Sequence, residues 1–140
     1  MLRFKDENQL TNTYIGDRIS KELIPALLRR ADICLVHLAI RNNPNSWKYD
    51  ASKNKVNEYM YADSVIVYGT YQKEHMVETS GAGICIPPFN GKVFADTIEK
   101  IYDMPKEERK VYGDNARKYI LSHNTLEVLT KKYISILENK

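Results

Sequence analysis

The feature that most constrains this chain is the alternation of short apolar runs with segments of helical periodicity. Three runs rich in β-forming residues are predicted as buried strands: Asp32–Leu38, Ser64–Tyr68 and Gly83–Ile86. A shorter strand is predicted over Asn12–Gly16, ahead of them. Because strands that alternate with helices require right-handed crossovers, the pattern predicts an α/β fold whose parallel sheet is flanked by helices.

The segments around these runs carry apolar residues at helical spacing. One helix is predicted over Ser20–Ala31, and either Ser20 or Pro25 marks its start. Two more are predicted over Ser52–Tyr61 and roughly over 72–79. A helical C-terminal extension of three consecutive helices follows, marked by Val93–Tyr102, Glu107–Leu121 and Leu126–Leu137. A chain of 140 residues forms one domain of this kind.

Charge and hydropathy exclude several functional classes. The 21 basic and 18 acidic side chains give a net charge of +3, too mild a balance for a nucleic-acid-binding protein. The charge is compatible with an anionic small molecule or with weak, peripheral attraction to anionic lipid. No apolar run approaches the roughly 18 residues of a membrane span, and MLRFKDENQL lacks a signal-peptide core. We therefore expect a cytoplasmic protein, open to association with the inner face of the membrane.

The cysteines and histidines give no sign of a metal site. Cys34 and Cys85 lie in apolar runs and are predicted as buried thiols. No set of Cys and His residues with the spacing of a zinc site surrounds them, and no Asp-x-Asp motif occurs, so we expect neither a metal nor another cofactor. His37 is interpreted as a hydrogen-bonded structural residue, and His75 and His123 as residues on helix surfaces.

A long polar loop, Ala39–Asp50, follows the first of the three main strands, where ligands of open parallel sheets bind. The helix after it has Lys53 and Lys55 in its first turn, beside free backbone amides that attract anions. Glu58 lies one turn after Asn54, within reach of a ligand's hydroxyl pair. This pattern predicts an anion site, and the alternative interpretation is a solvated surface helix.

Two further segments leave alternatives of their own. Trp47, with Tyr49 beside it, is a candidate for stacking on a sugar or base, or equally for a packing lid. Ser80–Gly83, SGAG, precedes a strand rather than a helix, which is the wrong order for a phosphate loop. We interpret it as a turn that ends a helix.

Four blocks of the sequence resemble one known family. SKNKVNEYMYADSVIV is similar to the S-P-N-K-x-x-E-Y-M-A-A-G-x-P-V-V stretch of the retaining glycosyltransferase family 4, which has the GT-B fold. TYIGDRISKELIPALLRRADICLVHL, ETSGAGICIPPFNGKVFADTIEKIYD and ERKVYGDNARKYILSHNT resemble other segments of that family. The blocks stand in the family's order and lie between residues 13 and 125.

The resemblance implies a Rossmann-like, partial C-terminal half of a GT-B glycosyltransferase, one nucleotide-sugar-binding domain over residues 1–140. Its substrate would be a nucleotide-sugar donor, and the sugar would pass to a glycan, lipid-linked or small-molecule acceptor in polysaccharide or glycoconjugate biosynthesis. The first strand–helix units and the N-terminal acceptor domain of the family are missing from this sequence. We therefore expect this chain alone to be inactive and to need that domain or a partner chain.

The resemblance also implies roles for individual residues. Asp50 and Glu58 are separated by seven residues, as in the family's acid-x7-acid pattern, with the first acid shortened to Asp. Glu58 would accept hydrogen bonds from the ribose hydroxyls, and Asp50 would face the transferred sugar. The diphosphate would be bound near Ser52, Asn54 and Lys55. The base would be bordered by Gly16, Asp17 and Arg18.

The sequence departs from the family at Lys53, where a proline is common, and at Ala62–Ser64, where Ala-Gly-x-Pro is usual. Two other functions stay open. The chain could be a non-catalytic nucleotide-binding remnant or subunit, or an unrelated flavodoxin-like binding module.

Overall fold

A computed structural model describes residues 2–37, 54–72 and 74–138 of the chain. The elements, in chain order, are α1 (Leu2–Glu7), a 3-10 turn (Lys21–Leu23), α2 (Ile24–Leu28), β1 (Ile33–His37), α3 (Asn54–Tyr61), β2 (Val65–Gly69), α4 (Met76–Thr79), β3 (Gly83–Ile86), α5 (Gly91–Tyr102), α6 (Lys106–His123) and α7 (Leu126–Glu138).

The three strands form one parallel sheet in the order β1-β2-β3. Ile66 of β2 pairs with Cys34 on one side and with Gly83 on the other. All five residues of β2 are buried, because it is the central strand and both faces of the sheet are covered there. The prediction of an α/β fold with a parallel sheet flanked by helices is confirmed.

Alternate side chains of the sheet enter two separate cores. Ile66 and Tyr68 pack with Met60 of α3 and with Ala116 and Ile120 of α6. On the opposite face, β2 and β3 pack against α5, and the buried side chains there are Val65, Val67, Ile86 and Ile101. The helices α3 and α6 therefore cover one face of the sheet, and α5 covers the other.

Two glycines mark places where backbones touch. A Cβ added to Gly113 of α6 would lie 2.2 Å from the carbonyl oxygen of Asp63, in the turn after α3. A Cβ added to Gly83 would lie 1.9 Å from the carbonyl oxygen of Ile66. Neither neighbour is a flexible side chain, so these contacts need glycine.

The predicted strand over Asn12–Gly16 is wrong. This segment has no regular secondary structure and is largely exposed. A strand exists only where a neighbour completes its hydrogen-bond ladder, and among the described residues the sheet ends at β1.

The helix predicted over Ser20–Ala31 is shorter than expected. The Ser20 side chain makes no capping hydrogen bond, and Pro25 lies in the first turn of α2, as suits a residue without a backbone N–H. The helix ends at Leu28, and the Ser64 hydroxyl donates to the carbonyls of Leu28 and Ala31 at 3.2 and 3.1 Å. The helix α2 therefore has only five residues, with Pro25 near its start and the hydrogen bonds of Ser64 at its end.

The surface position predicted for His75 is also wrong. His75 caps α4, with Nδ1 accepting a hydrogen bond from the Val77 N–H at 3.2 Å, so the helix predicted from about residue 72 begins only at Met76. The imidazole is 4% exposed and stacks on Tyr68 at a centroid distance of 4.1 Å. His123, by contrast, lies on the surface of α6, as predicted.

The other boundaries agree with the sequence patterns. The first and last described residues of the three main strands lie within one position of the predicted bounds. The helices α5, α6 and α7 form the predicted C-terminal extension. The SGAG segment ends α4, since Gly81 has φ of 69° and its N–H donates to the Glu78 carbonyl at 3.0 Å. The short helix α1 had no counterpart among the predictions.

Candidate functional site

The carboxyl ends of all three strands meet at one edge of the sheet. They are His37, Gly69 and Ile86, and beside them the Thr70 N–H donates to the Ile86 carbonyl at 2.9 Å. Because β1 and β2 are parallel, α3 must run back between them, and its first residue, Asn54, lies towards this edge. The start of α3 is therefore where an open parallel sheet binds its ligands.

The two sides of α3 differ in character. Val56 and Met60 are buried against the sheet, and Asn54, Lys55 and Glu58 are exposed. Among the described residues, neither the Lys55 ammonium nor the Glu58 carboxylate forms a hydrogen bond or an ion pair. A cation and a carboxylate one turn apart are therefore available to a ligand at this helix.

A groove of about 340 Å³ lies between α2, α3 and the end of α6, and we call it the Glu58 groove. Its walls are mostly apolar, with Ile24, Leu28 and Ile120 among them. Polar side chains line it as well: Lys21, Arg29, Asn57, Glu58, Asn124 and Thr125. Its size and its few convergent polar groups are those of a small-molecule site.

A hydrogen bond links the helices on either side of this groove. The Asn124 amide donates to Asn57 Oδ1 at 3.4 Å and so ties the end of α6 to the middle of α3.

On the inner side of α3, burial raises the pKa of Tyr59, with smaller contributions from Cys34 and the Glu58 charge. The Tyr59 phenol therefore stays protonated at neutral pH.

The structure unites only some of the residues predicted for the donor site. Asn54, Lys55 and Glu58 share the exposed side of α3, as predicted. Gly16, Asp17 and Arg18 lie in an exposed segment, and no hydrogen bond joins them to α3 among the described residues. The predictions for Asp50, Ser52, Lys53, Trp47 and Tyr49 lie outside the described residues.

Several residues of the groove were missed by the sequence patterns. Lys21 follows the predicted base-binding segment by three residues and lines the same groove as Glu58. Asn57 could have been found, since it precedes Glu58 on the same helix. Asn124 and Thr125 follow α6 and reach the groove only through the packing of α6 on α3, which no local pattern reveals.

A second hollow, of about 430 Å³, lies at the same edge of the sheet on the α5 side. We call it the aromatic pocket, and its lining includes His37, Phe89, Asn90, Phe94 and Ile98. His37 Nε2 accepts a hydrogen bond from the Phe89 N–H at 2.9 Å. The interpretation of His37 as a hydrogen-bonded structural residue is confirmed.

The cysteines are not activated nucleophiles. Cys34 is buried in β1, and this burial raises the pKa of its thiol. Burial, and secondarily the charge of Glu78, raises the pKa of the half-buried Cys85 to about 12. Both residues therefore stay thiols at neutral pH, and a thiolate is the reactive form.

Metal-binding groups and membrane helices were sought over residues 2–37, 54–72 and 74–138. No cluster of three or more His, Cys, Asp or Glu side chains that could hold a metal ion occurs there. No helix in those ranges has the length and apolar character needed to cross a membrane.

Comparison with known proteins does not identify a family for this chain. No family model, no curated protein and no solved structure matches the chain.

Proposed function

We propose that this chain is the nucleotide-sugar-binding domain of a GT-B retaining glycosyltransferase. One observation carries the proposal: α3 starts towards the carboxyl edge of a parallel sheet, with Lys55 in its first turn and Glu58 one turn later beside a groove. The order of the four sequence blocks that resemble glycosyltransferase family 4 supports it.

The start and the middle of α3 suit different parts of a nucleotide sugar. The backbone amides of the first turn, with Asn54 and Lys55, would hold the diphosphate, because a helix start attracts anions. Glu58 would accept two charge-assisted hydrogen bonds from the ribose hydroxyls. The nucleoside would then extend into the Glu58 groove, past Lys21 and towards the exposed segment Gly16–Arg18, while Asp50 would face the sugar.

The proposed reaction moves a sugar from the diphosphate to an acceptor hydroxyl. The bond between the anomeric carbon and the diphosphate oxygen breaks, and the diphosphate leaves with the electron pair. The acceptor oxygen forms the new bond and passes its proton to the departing diphosphate. Fixed positive charge at the start of α3 would stabilise the departing diphosphate, so the scheme needs no metal ion.

Calorimetric titration with nucleoside diphosphates tests the assignment of Glu58. Glu58→Gln keeps the shape of the side chain but removes its charge, and we expect a loss of about 1.5–3 kcal/mol in binding free energy, the scale of a hydrogen bond to a charged group. Glu99→Gln, on the exposed side of α5, is the matched control and should bind like the wild type. Unchanged affinity in Glu58→Gln would remove Glu58 from the site.

The charge of the ligand tests Lys55. Lys55→Ala should weaken binding of the nucleoside diphosphate far more than binding of the uncharged nucleoside, because only the former carries phosphate. Lys100→Ala, an exposed lysine of α5, serves as the control. Equal weakening of both ligands would mean that Lys55 supports the helix instead of meeting phosphate.

Turnover separates the proposed enzyme from a non-catalytic nucleotide-binding subunit. We expect the 140-residue chain to bind donor but to transfer no sugar, since holding an acceptor in register supplies roughly 7–11 kcal/mol of such a barrier. Transfer assays on this chain and on a version joined to an acceptor domain measure the difference. Robust transfer by the chain alone, shown free of partners by native mass spectrometry, would contradict the expectation.

A further inference from the structure

Phe89 holds an uncommon backbone conformation at the edge of the sheet. Its φ is 62°, in the left-handed region that a bulky residue rarely adopts, yet its side chain is 50% exposed. Glycine would satisfy the same turn without strain. The fold therefore keeps a large apolar ring half in solvent at an energetic cost, and such strain tends to occur at functional sites.

His37 holds Phe89 in this position. The Phe89 N–H donates to His37 Nε2 at 2.9 Å, and the two rings meet edge to face at a centroid distance of 5.5 Å. Phe94 also meets the imidazole edge to face, at a centroid distance of 5.9 Å. Three rings from β1, from the turn after β3 and from α5 are thus fixed in one place and form the wall of the aromatic pocket.

The polar groups of this pocket are donors. Because His37 Nε2 accepts a hydrogen bond, the neutral imidazole carries its proton on Nδ1. Asn90 uses its side-chain oxygen to cap α5, accepting from the Val93 N–H at 3.1 Å, so its amide NH₂ is the group left to a ligand. Two donors among apolar walls suit a flat apolar ring that bears an acceptor oxygen, and they suit a bare sugar poorly.

The aromatic pocket and the Glu58 groove lie on opposite sides of the sheet. The pocket is lined by α5, and the groove by α3 and α6, which cover the other face. A nucleoside that lies in the Glu58 groove would therefore not occupy the aromatic pocket. The start of α3 and the aromatic pocket nevertheless both lie towards the carboxyl edge, where a donor and a second substrate would meet.

We propose that the aromatic pocket binds the flat, apolar ring of the acceptor molecule, an aromatic aglycone with a hydrogen-bond-accepting oxygen, while a separate acceptor domain would hold the rest of that molecule. The role of this ligand as an acceptor substrate rests on the proposed function. The binding of such a ring rests only on His37, Phe89 and Phe94.

Two glucosides that differ only in the aglycone test the proposal. Phenyl β-glucoside should bind the 140-residue chain about fivefold or more tightly than methyl β-glucoside, as measured by ligand-observed NMR titration, because only the phenyl ring can pack on Phe89 and Phe94. Equal affinity of the two probes for the wild type would overturn the proposal.

Three variants locate the preference. Phe89→Gly removes the ring while suiting the positive φ, so it should keep the thermal stability of the wild type and lose the preference for the phenyl probe. Ala95→Trp, on the exposed and pocket-lining side of α5, should block the pocket with the same result. Tyr102→Ala removes an exposed aromatic ring at the other end of α5 and should leave the preference intact. A preference that survives both Phe89→Gly and Ala95→Trp would contradict the assignment.

A nucleoside diphosphate titration on the same samples separates this inference from the proposed function. If the diphosphate binds and the phenyl preference is absent, the donor site stands and the ring site falls. If the phenyl preference depends on Phe89 and no diphosphate binds, the ring site stands and its role as an acceptor site is overturned.

Discussion

The two last helices of the chain, α6 and α7, reverse the usual relation between apolar sequence and burial. Most residues of α6, KEERKVYGDNARKYILSH, are polar, yet Gly113, Ala116 and Ile120 are buried against α3 and the sheet. The sequence of α7, LEVLTKKYISILE, has a clear apolar stripe, yet none of its residues is buried, and Leu126 is 83% exposed. An apolar stripe thus predicts that a helix has a face to cover, without showing what covers it.

Gly113 and Arg117 explain the close packing of α6 on the turn after α3. Gly113 lets the helix backbone touch the turn after α3, where the Arg117 guanidinium donates to the Tyr61 carbonyl and to the Asp63 carboxylate, both at 3.2 Å. The same guanidinium lies over the Tyr61 ring at 4.9 Å from its centroid. Backbone contact and one well-placed arginine therefore hold α6 where few large apolar side chains do.

The largest effect is expected from filling the contact at Gly113. Gly113→Ala would place a methyl group against the Asp63 backbone, so that the turn or the helix would have to shift, and we expect a loss of about 3 kcal/mol in the free energy of unfolding. Urea denaturation followed by circular dichroism measures it. Gly91→Ala is the matched control, since a Cβ there meets nothing within 4 Å. If both variants keep the wild-type stability, α6 does not pack on α3 as described.

A smaller difference should separate equivalent truncations of the two helices. Ile120→Ala removes a buried side chain of α6 and should cost about 2 kcal/mol of unfolding free energy. Leu129→Ala on α7 should cost less than about 0.5 kcal/mol, since surface substitutions have small effects. Equal losses in urea denaturation would show that α7 contributes to a core as α6 does.

The thiol of Cys85 in β3 gives a pH-dependent test of burial in the sheet. Because the folded-state pKa of Cys85 is raised to about 12, its contribution to stability is complete below the unfolded-state pKa near 9 and is lost as the pH rises towards 12. The free energy of unfolding should therefore fall less steeply above pH 9 in Cys85→Val than in the wild type. At pH 8, iodoacetamide should label Cys85 slowly in the native chain and quickly in urea. Rapid native labelling, mapped by mass spectrometry, would contradict the burial.

The smallest effect on stability is expected from the apolar stripe of α7 itself. Replacing Tyr133 and Ile136 together by serine should leave the urea midpoint nearly unchanged, because both side chains are already exposed. The same double variant should bind less of the apolar dye ANS than the wild type, since exposed apolar surface binds it. Replacing the exposed ion pair Glu127 and Lys131 together by serine leaves the apolar stripe and the net charge unchanged, and so controls for the introduction of two serines into the helix.

The sheet and the C-terminal helices could be predicted because their patterns are local. A continuous apolar run such as that of β2 suits only a strand covered on both faces, and Lys55 and Glu58 follow from the helical spacing of α3. The position of Asn12–Gly16 was not predictable in this way. An extended segment becomes a strand only with a neighbour, and the segment's own residues do not specify one.

The groove and the buried histidine depended on distant contacts. Asn57 and Asn124 meet across 67 positions of the chain, so the groove exists only once α6 has packed on α3. His75 stands in a polar stretch, and its burial depends on stacking against Tyr68 from β2. Such pairings are decided by shape in three dimensions, whereas sequence periodicity reports only one face of one element.

The order of the strands has a consequence for how the chain folds as it is synthesised. Each strand pairs with the one made just before it, so the sheet can grow by addition at one edge while the ribosome is still translating. The α3 side of the sheet is different, because Met60 and Tyr68 are covered by residues of α6 that emerge about fifty residues later. A nascent chain stalled between β3 and α6 would therefore expose a half-built core, and in this interval it would need a chaperone most.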